Sequence, residues 1–183
     1  MVRKITKHLS NERAFTLIEV IVSLVLAGIM AAVVGLGLVK ITQGYVFAKQ
    51  NSETVQKAQI AMTRIVKELG AAEPQSGTAT AVTAATATAV SYTRRDPIGS
   101  STFISNTISV SGGYAYLNLN QTGNGTLINN VVPGSSLFAY FDAAGNTTAT
   151  LANIRRIDVT LNLNVTGGGN KTFTNSVWIN ESY

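Results

Sequence analysis

Residues 15–39 read FTLIEVIVSLVLAGIMAAVVGLGLV. Among these twenty-five positions there is one charge, Glu19, and no proline. As an α-helix the run would extend roughly 37 Å at ~1.5 Å per residue, enough to cross a ~30 Å hydrocarbon layer. The apolar region of a secretory signal is shorter, about 7–15 residues, and closes on a small-residue cleavage site. No Ala-x-Ala site closes this one. Buried core helices rarely run this far with a single charge, so the stretch predicts a membrane-spanning helix from Phe15 to Val39.

The flanks orient that helix. Residues 1–14 hold Arg3, Lys4, Lys7 and Arg13 against Glu12, a net +3, whereas residues 15–183 hold ten Lys/Arg against eight Asp/Glu, a net +2. A basic leader before the span stays in the cytoplasm, which places everything beyond residue 40 outside. The same division shows that the basic character belongs mostly to the leader, so nucleic acid is not an expected partner of the whole chain. Glu19 is the anomaly. An unpaired charge at the membrane centre costs about 2.5–3.5 kcal/mol on insertion scales, less near the interface. A carboxylate so placed calls for a cationic partner in its own chain or a neighbour; a boundary Glu with no role is the plainer alternative.

The string Arg13-Ala14-Phe15-Thr16-Leu17-Ile18-Glu19-Val20, behind a short basic leader and ahead of an apolar run, resembles the prepilin signal of type IV pilins and type II secretion pseudopilins. The resemblance covers roughly residues 11–40. It implies cutting between Ala14 and Phe15 by a prepilin peptidase on the cytoplasmic side, and N-methylation of Phe15. It further implies retention of the span as an assembly helix, with Glu19 as the family's acidic residue near the new N-terminus. Glu19 would then neutralise the Phe15 amine of an adjacent subunit or its own, an interaction far stronger in a low dielectric than in water. Two positions depart from the family pattern: Ala14 stands where Gly is usual, and Leu36 stands where many pilins have a kinking Pro. Gly35 and Gly37 flank Leu36 and would supply either local softness or close helix packing.

Beyond the span, residues 40–72 contain no Pro and only Gly44 and Gly70. Ile41, Tyr45, Ala48, Val55, Met62, Val66 and Leu69, with Ser52 and Gln59 filling two slots, alternate by four and three and predict one face of an amphipathic helix. Gly70 and Pro74 signal its end near Ala72. The expected role of that face is packing on the chain's own sheet. Residues 78–90, TATAVTAATATAV, have no decisive propensity and read as a surface connection, partly strand.

From residue 89 the period becomes two. Strands are expected at Ala89–Thr93, Phe103–Val110, Tyr114–Asn120, Leu137–Phe141, Ile154–Val165 and Thr172–Ile179. Ile157, Val159, Leu161, Leu163 and Val165, alternating with polar residues, describe a strand with one buried face. Gly112-Gly113, Gly123–Gly125, Pro133-Gly134, Ala144–Asn146 and Gly167–Gly169 mark turns. The expected fold is α+β and pilin-like, one long N-terminal helix packed on an antiparallel sheet. Its parts are a cleaved leader (1–14), a transmembrane and assembly helix (15–39), an amphipathic continuation (40–72) and an exported β-rich domain (73–183).

Chemistry of the chain's own is not expected. There is no Cys, and the single His, His8, lies in the leader, so thiol and imidazole groups are missing from the mature part. No cofactor or metal is implied. Asp142 and Asn146 are too few oxygens for Ca²⁺ and suit a hairpin turn. Arg94-Arg95 and Arg155-Arg156 point to alternate faces of strands, so each reads as solvated surface or subunit salt bridges rather than a phosphate patch. The resemblance therefore implies a non-enzymatic precursor of a minor pilin or pseudopilin. Its expected partners are a prepilin peptidase/methyltransferase, other pilin-like subunits through helix packing, an inner-membrane assembly platform and the lipid bilayer. It would reside in a bacterial inner membrane and then in a pilus or pseudopilus, in the periplasm or at the cell surface. A major pilin is the alternative within the class. A single-span, membrane-anchored surface-binding domain is the alternative from another class.

Overall fold

A computed structural model describes residues 16–75, 80–96, 101–119, 123–135 and 137–179. The chain divides into two compact units, Met1–Val46 and Phe47–Tyr183. One helix, α1 (Leu17–Gly70), contributes to both.

In the first unit α1 starts at a Thr cap. The Glu19 N–H donates to the Thr16 carbonyl at 3.0 Å and, more weakly, to Thr16 Oγ1 at 3.4 Å. A capping oxygen here satisfies donors that the first turn leaves without partners. The helix continues unbroken through Gly35-Leu36-Gly37.

The second unit is built on the last part of α1. Ala58, Ala61, Met62, Ile65 and Leu69 are buried there. The expected stripe is correct at Met62 and Leu69 and half right at Val55 and Val66, which are partly buried, but its other slots, Ile41, Tyr45, Ala48, Ser52 and Gln59, are exposed. The packed face is rotated rather than drifted: at ~100° per residue the buried set is centred roughly 60° around the helix from the expected stripe, more than the ~30° by which a 3.5-residue repeat strays over these positions. The small residues Ala58 and Ala61 carry no obvious hydrophobic signal, yet both are within 1% of full burial.

Two antiparallel sheets complete this unit. The first has five strands in the order β1 (Val82–Ala85), β2 (Ala89–Arg95), β3 (Phe103–Ser111), β4 (Tyr114–Asn118), β5 (Asn124–Ile128). The second has three: β6 (Phe138–Phe141), β7 (Arg156–Asn164), β8 (Asn170–Trp178). Each follows chain order, so every connection is a local hairpin or short crossing. Gly112 and Gly113, at φ 58° and 82°, form the two-residue turn that places Ser111 opposite Tyr114. Two positive φ angles in succession suit glycine and fit the twist of the flanking strands.

All six expected strands are present, with ends shifted by a few residues; Asn120, at the end of one, lies outside the described residues. β1 and β5 are additional. The 78–90 stretch is more than a surface connection: Ala81, Val82 and Val90 are buried, and β1 pairs with β2. The Gly123–Gly125 turn is only partly a turn, since Asn124 and Gly125 already pair with Asn118 and Leu117. Both additions are edge strands, whose neighbours supply order that their own propensities do not.

One hydrophobic core joins the helix to both sheets, with Ile65 and Leu69 of α1, Val90, Ile108 and Leu117 of the first sheet and Ile157, Val159 and Leu161 of the second. The sheets are also linked at the β1–β2 turn. The Tyr140 hydroxyl donates to the Thr86 and Ala89 carbonyls at 2.7 and 3.1 Å, and the Leu137 and Phe138 N–H groups donate to the Ala87 carbonyl. The fold is α+β and pilin-like in arrangement: a long N-terminal helix whose far end packs on antiparallel sheet.

Candidate functional site

The site is the exposed N-terminal part of α1. Every residue from Thr16 to Val46 is exposed, including Leu17 at 80%, Leu24 at 68% and Leu36 at 71%. Ordinary soluble surfaces scatter such side chains singly; a continuous apolar surface marks a membrane or assembly contact. Within α1 the best eighteen-residue window has a mean hydropathy of 2.7, so the helix is long and apolar enough to cross a membrane.

Its polar side chains are arranged to suit that environment. The Ser23 hydroxyl donates to the Glu19 carbonyl at 2.7 Å, and the Thr42 hydroxyl donates to the Leu38 carbonyl at 2.9 Å. Each hydroxyl thus finds an acceptor one turn back inside its own helix, removing the cost of an unpaired donor in lipid. At Gly28, Gly35, Gly37 and Gly44 an added Cβ would meet nothing within 4 Å. These glycines are therefore open notches on the helix surface rather than sites of packing within the subunit, the form that close helix–helix approach requires.

Glu19 lies in the first turn and is exposed. Its position near the helix N-terminus is electrostatically favourable for a carboxylate. No Lys, Arg or His occurs between Arg13 and Lys40, so among the described residues the nearest cation in sequence is twenty-one positions away. Ala14 and Phe15, the residues expected to flank a cleavage point, lie outside the described residues, as do the leader and His8.

Of the two expected readings of the basic doublets, solvated surface or salt bridges, three of the four arginines follow the second, with partners in their own chain. Arg94 Nε stands 3.5 Å from Glu68 Oε2 and Arg95 Nε stands 2.9 Å from Glu73 Oε1, so both arginines pair with carboxylates of their own chain, at and just beyond the end of α1. Glu68 also accepts from the hydroxyl of fully buried Tyr92 at 3.0 Å. Burial first, and then the Glu68 charge, push the Tyr92 phenol well above its ordinary pKa. Arg156 pairs with Asp158 at 3.0 Å, and Arg155 donates to the Ala152 and Ile154 carbonyls. Asp142 is a turn former as expected: one carboxylate oxygen accepts from the Ala144 and Asn146 N–H groups at 2.9 and 2.8 Å. The Asn146 backbone bond is the main reason its carboxyl is held below its usual pKa. Among the described residues no group of three or more His, Cys, Asp or Glu is placed to hold a metal.

A lone acid at the head of an exposed apolar helix, joined to a sheet-bearing unit, is the arrangement of a helix-anchored protein, since the helix is long and apolar enough to cross a membrane. Comparison with known families agrees. Residues 9–35 match the model described as the prokaryotic N-terminal methylation motif, the prepilin signal of type IV pilins and pseudopilins. The motif supports a type IV pilin-like precursor and points to a structural role rather than an enzymatic one. It implies processing by a prepilin peptidase and assembly with other pilin subunits, and membrane anchoring agrees with the apolar helix. No curated protein and no solved structure matches the chain.

Proposed function

We propose that the chain is the precursor of a minor pilin or pseudopilin. A prepilin peptidase removes residues 1–14 by cutting between Ala14 and Phe15, and the new Phe15 amine is methylated. The mature helix waits in the bacterial inner membrane until the assembly platform moves it into a pilus or pseudopilus. There the apolar surface of Leu17–Val39 is covered again by the helices of other subunits. The observation that carries this reading is the lone carboxylate, Glu19, which lies inside the methylation motif and in the first turn of a helix whose part up to Val46 is apolar and exposed.

Glu19 is the residue on which assembly turns. In the bilayer an uncompensated carboxylate is costly; against the Phe15 amine of an adjacent subunit it is neutralised. The pairing fixes the axial stagger of neighbouring helices, because only one register brings acid to amine. The expected outcome for Glu19→Ala is normal membrane insertion with incorporation into filaments reduced about tenfold or more, read by immunoblot of membrane and sheared-filament fractions. Glu19→Asp, whose shorter side chain keeps the charge, retains part of the incorporation. Wild-type incorporation of Glu19→Ala contradicts the pairing role. Abundance in the sheared fraction separates a minor subunit from a major pilin.

A further inference from the structure

The outward face of the three-stranded sheet carries a row of side chains that neither the core nor the helix uses. Phe141, Arg156 and Trp178 are directly opposite one another across β6, β7 and β8. The Arg156 guanidinium carbon lies 4.2 Å from the Phe141 ring centroid and 5.8 Å from that of Trp178. Asp158, one position along the same face, fixes the guanidinium through Nε–Oδ1 and Nη2–Oδ2 contacts of 3.0 and 3.4 Å. Trp178 is nonetheless 63% exposed. It is the only Trp in the chain.

We propose that this row is a binding platform for an uncharged saccharide. Three features favour that chemistry. First, a large exposed indole beside a stacked Phe–Arg pair offers a flat, rigid surface of the kind that packs on the C–H face of a sugar ring. Second, the face is electrically balanced. Arg156 and Asp158 neutralise each other, and the other outward positions of β6, β7 and β8 are Ser, Thr, Asn and Ala. Such a surface lacks the cationic excess that nucleic acid requires and matches a neutral polyhydroxyl ligand. It also lacks the contiguous apolar surround of a protein–protein hot spot. Third, one donor of the β8 edge is already engaged by its own chain. The Ile179 N–H points to β7, at 2.8 Å from the Arg155 carbonyl, so alternate N–H groups such as that of Ser176 point to the free edge. Asn175 Oδ1 already accepts from the Ser176 N–H at 2.9 Å. That donor is withheld from an added strand at this point of the edge, while the face stays open.

The sole Trp makes the test direct. Full-length protein in a polyoxyethylene detergent is titrated with cellohexaose, chitohexaose and maltohexaose while Trp emission is followed; alkyl maltosides are avoided because their headgroups are sugars. Retention on insoluble cellulose, chitin and amylose is measured alongside. The expected result is a saturable change in Trp178 emission with at least one hexaose, and retention on the matching polymer. Trp178→Ala and Phe141→Ala lower that retention about tenfold, Trp178→Tyr keeps most of it, and Tyr114→Ala, an exposed aromatic on the other sheet, leaves it unchanged. The proposal fails if no hexaose changes the emission, or if Tyr114→Ala and Trp178→Ala lose retention equally. It also fails if Trp178 emission shifts only with protein concentration, which would make the row a contact between copies.

Discussion

At the scale of single residues, Tyr92, Glu68 and Arg94 form a linked polar group where helix meets sheet, and that group bears on how this unit responds to pH and mutation. Tyr92 is fully buried and donates to Glu68, which also pairs with Arg94. Tyr92→Phe removes a hydrogen bond to a charged acceptor and is expected to cost about 1.5–3 kcal/mol, read by chemical denaturation. The pH sign follows from the raised phenol pKa. The folded protein holds the Tyr92 proton to higher pH than the unfolded chain does, so its contribution is complete below the ordinary tyrosine value of 10.0 and is lost as pH rises beyond it. Tyr140 is raised in the same direction, mainly by burial. Denaturation followed against pH should therefore show stability falling above about pH 10, with a smaller fall in Tyr92→Phe. An identical alkaline profile in the variant would remove Tyr92 from this role.

At the scale of elements, α1 illustrates how much a periodic pattern reveals and where it misleads. Existence, continuity and the C-terminal stop were legible, because one charge in twenty-five positions and the Gly70–Pro74 punctuation act locally. The face that packs was legible only in part. Gln59 sits on the 3.5-residue stripe yet is exposed, while Ile65, off that stripe, is fully buried. Substitution tests the assignment: Ile65→Ala is expected to cost about 2–5 kcal/mol, whereas Gln59→Ala stays within about 0.5 kcal/mol of wild type. Equal costs would mean that the packed face has been misassigned. The strands show the same division. β7 announces itself by alternation, Ile157 through Leu163 inward and Asp158 through Asn162 outward. β1 and β5 do not, because Val-Thr-Ala-Ala and Asn-Gly-Thr-Leu-Ile have neither strict alternation nor strong strand propensity. The long-range pairs were beyond reach for a different reason. Arg94 with Glu68, and Phe141 with Arg156 and Trp178, are neighbours only because strand register brings them together.

At the scale of the molecule, the two units divide the labour. The unit containing Glu19 offers a continuous apolar surface with open glycine notches and carries the methylation motif. The unit from Phe47 onward has a conventional core shared by α1 and two sheets. A helix with so much exposed apolar surface calls for lipid or other helices around it, and in the function proposed above the lone acid near its tip sets the register of the helix contacts. The account stands on removal of the leader, since only that step brings an amine within reach of Glu19. The N-terminal residue and intact mass of the native protein, recovered from membrane and sheared-filament fractions, test this most directly. The predicted result is a chain that begins at Phe15 and carries one added methyl group. A chain that begins at Met1 in both fractions would contradict it.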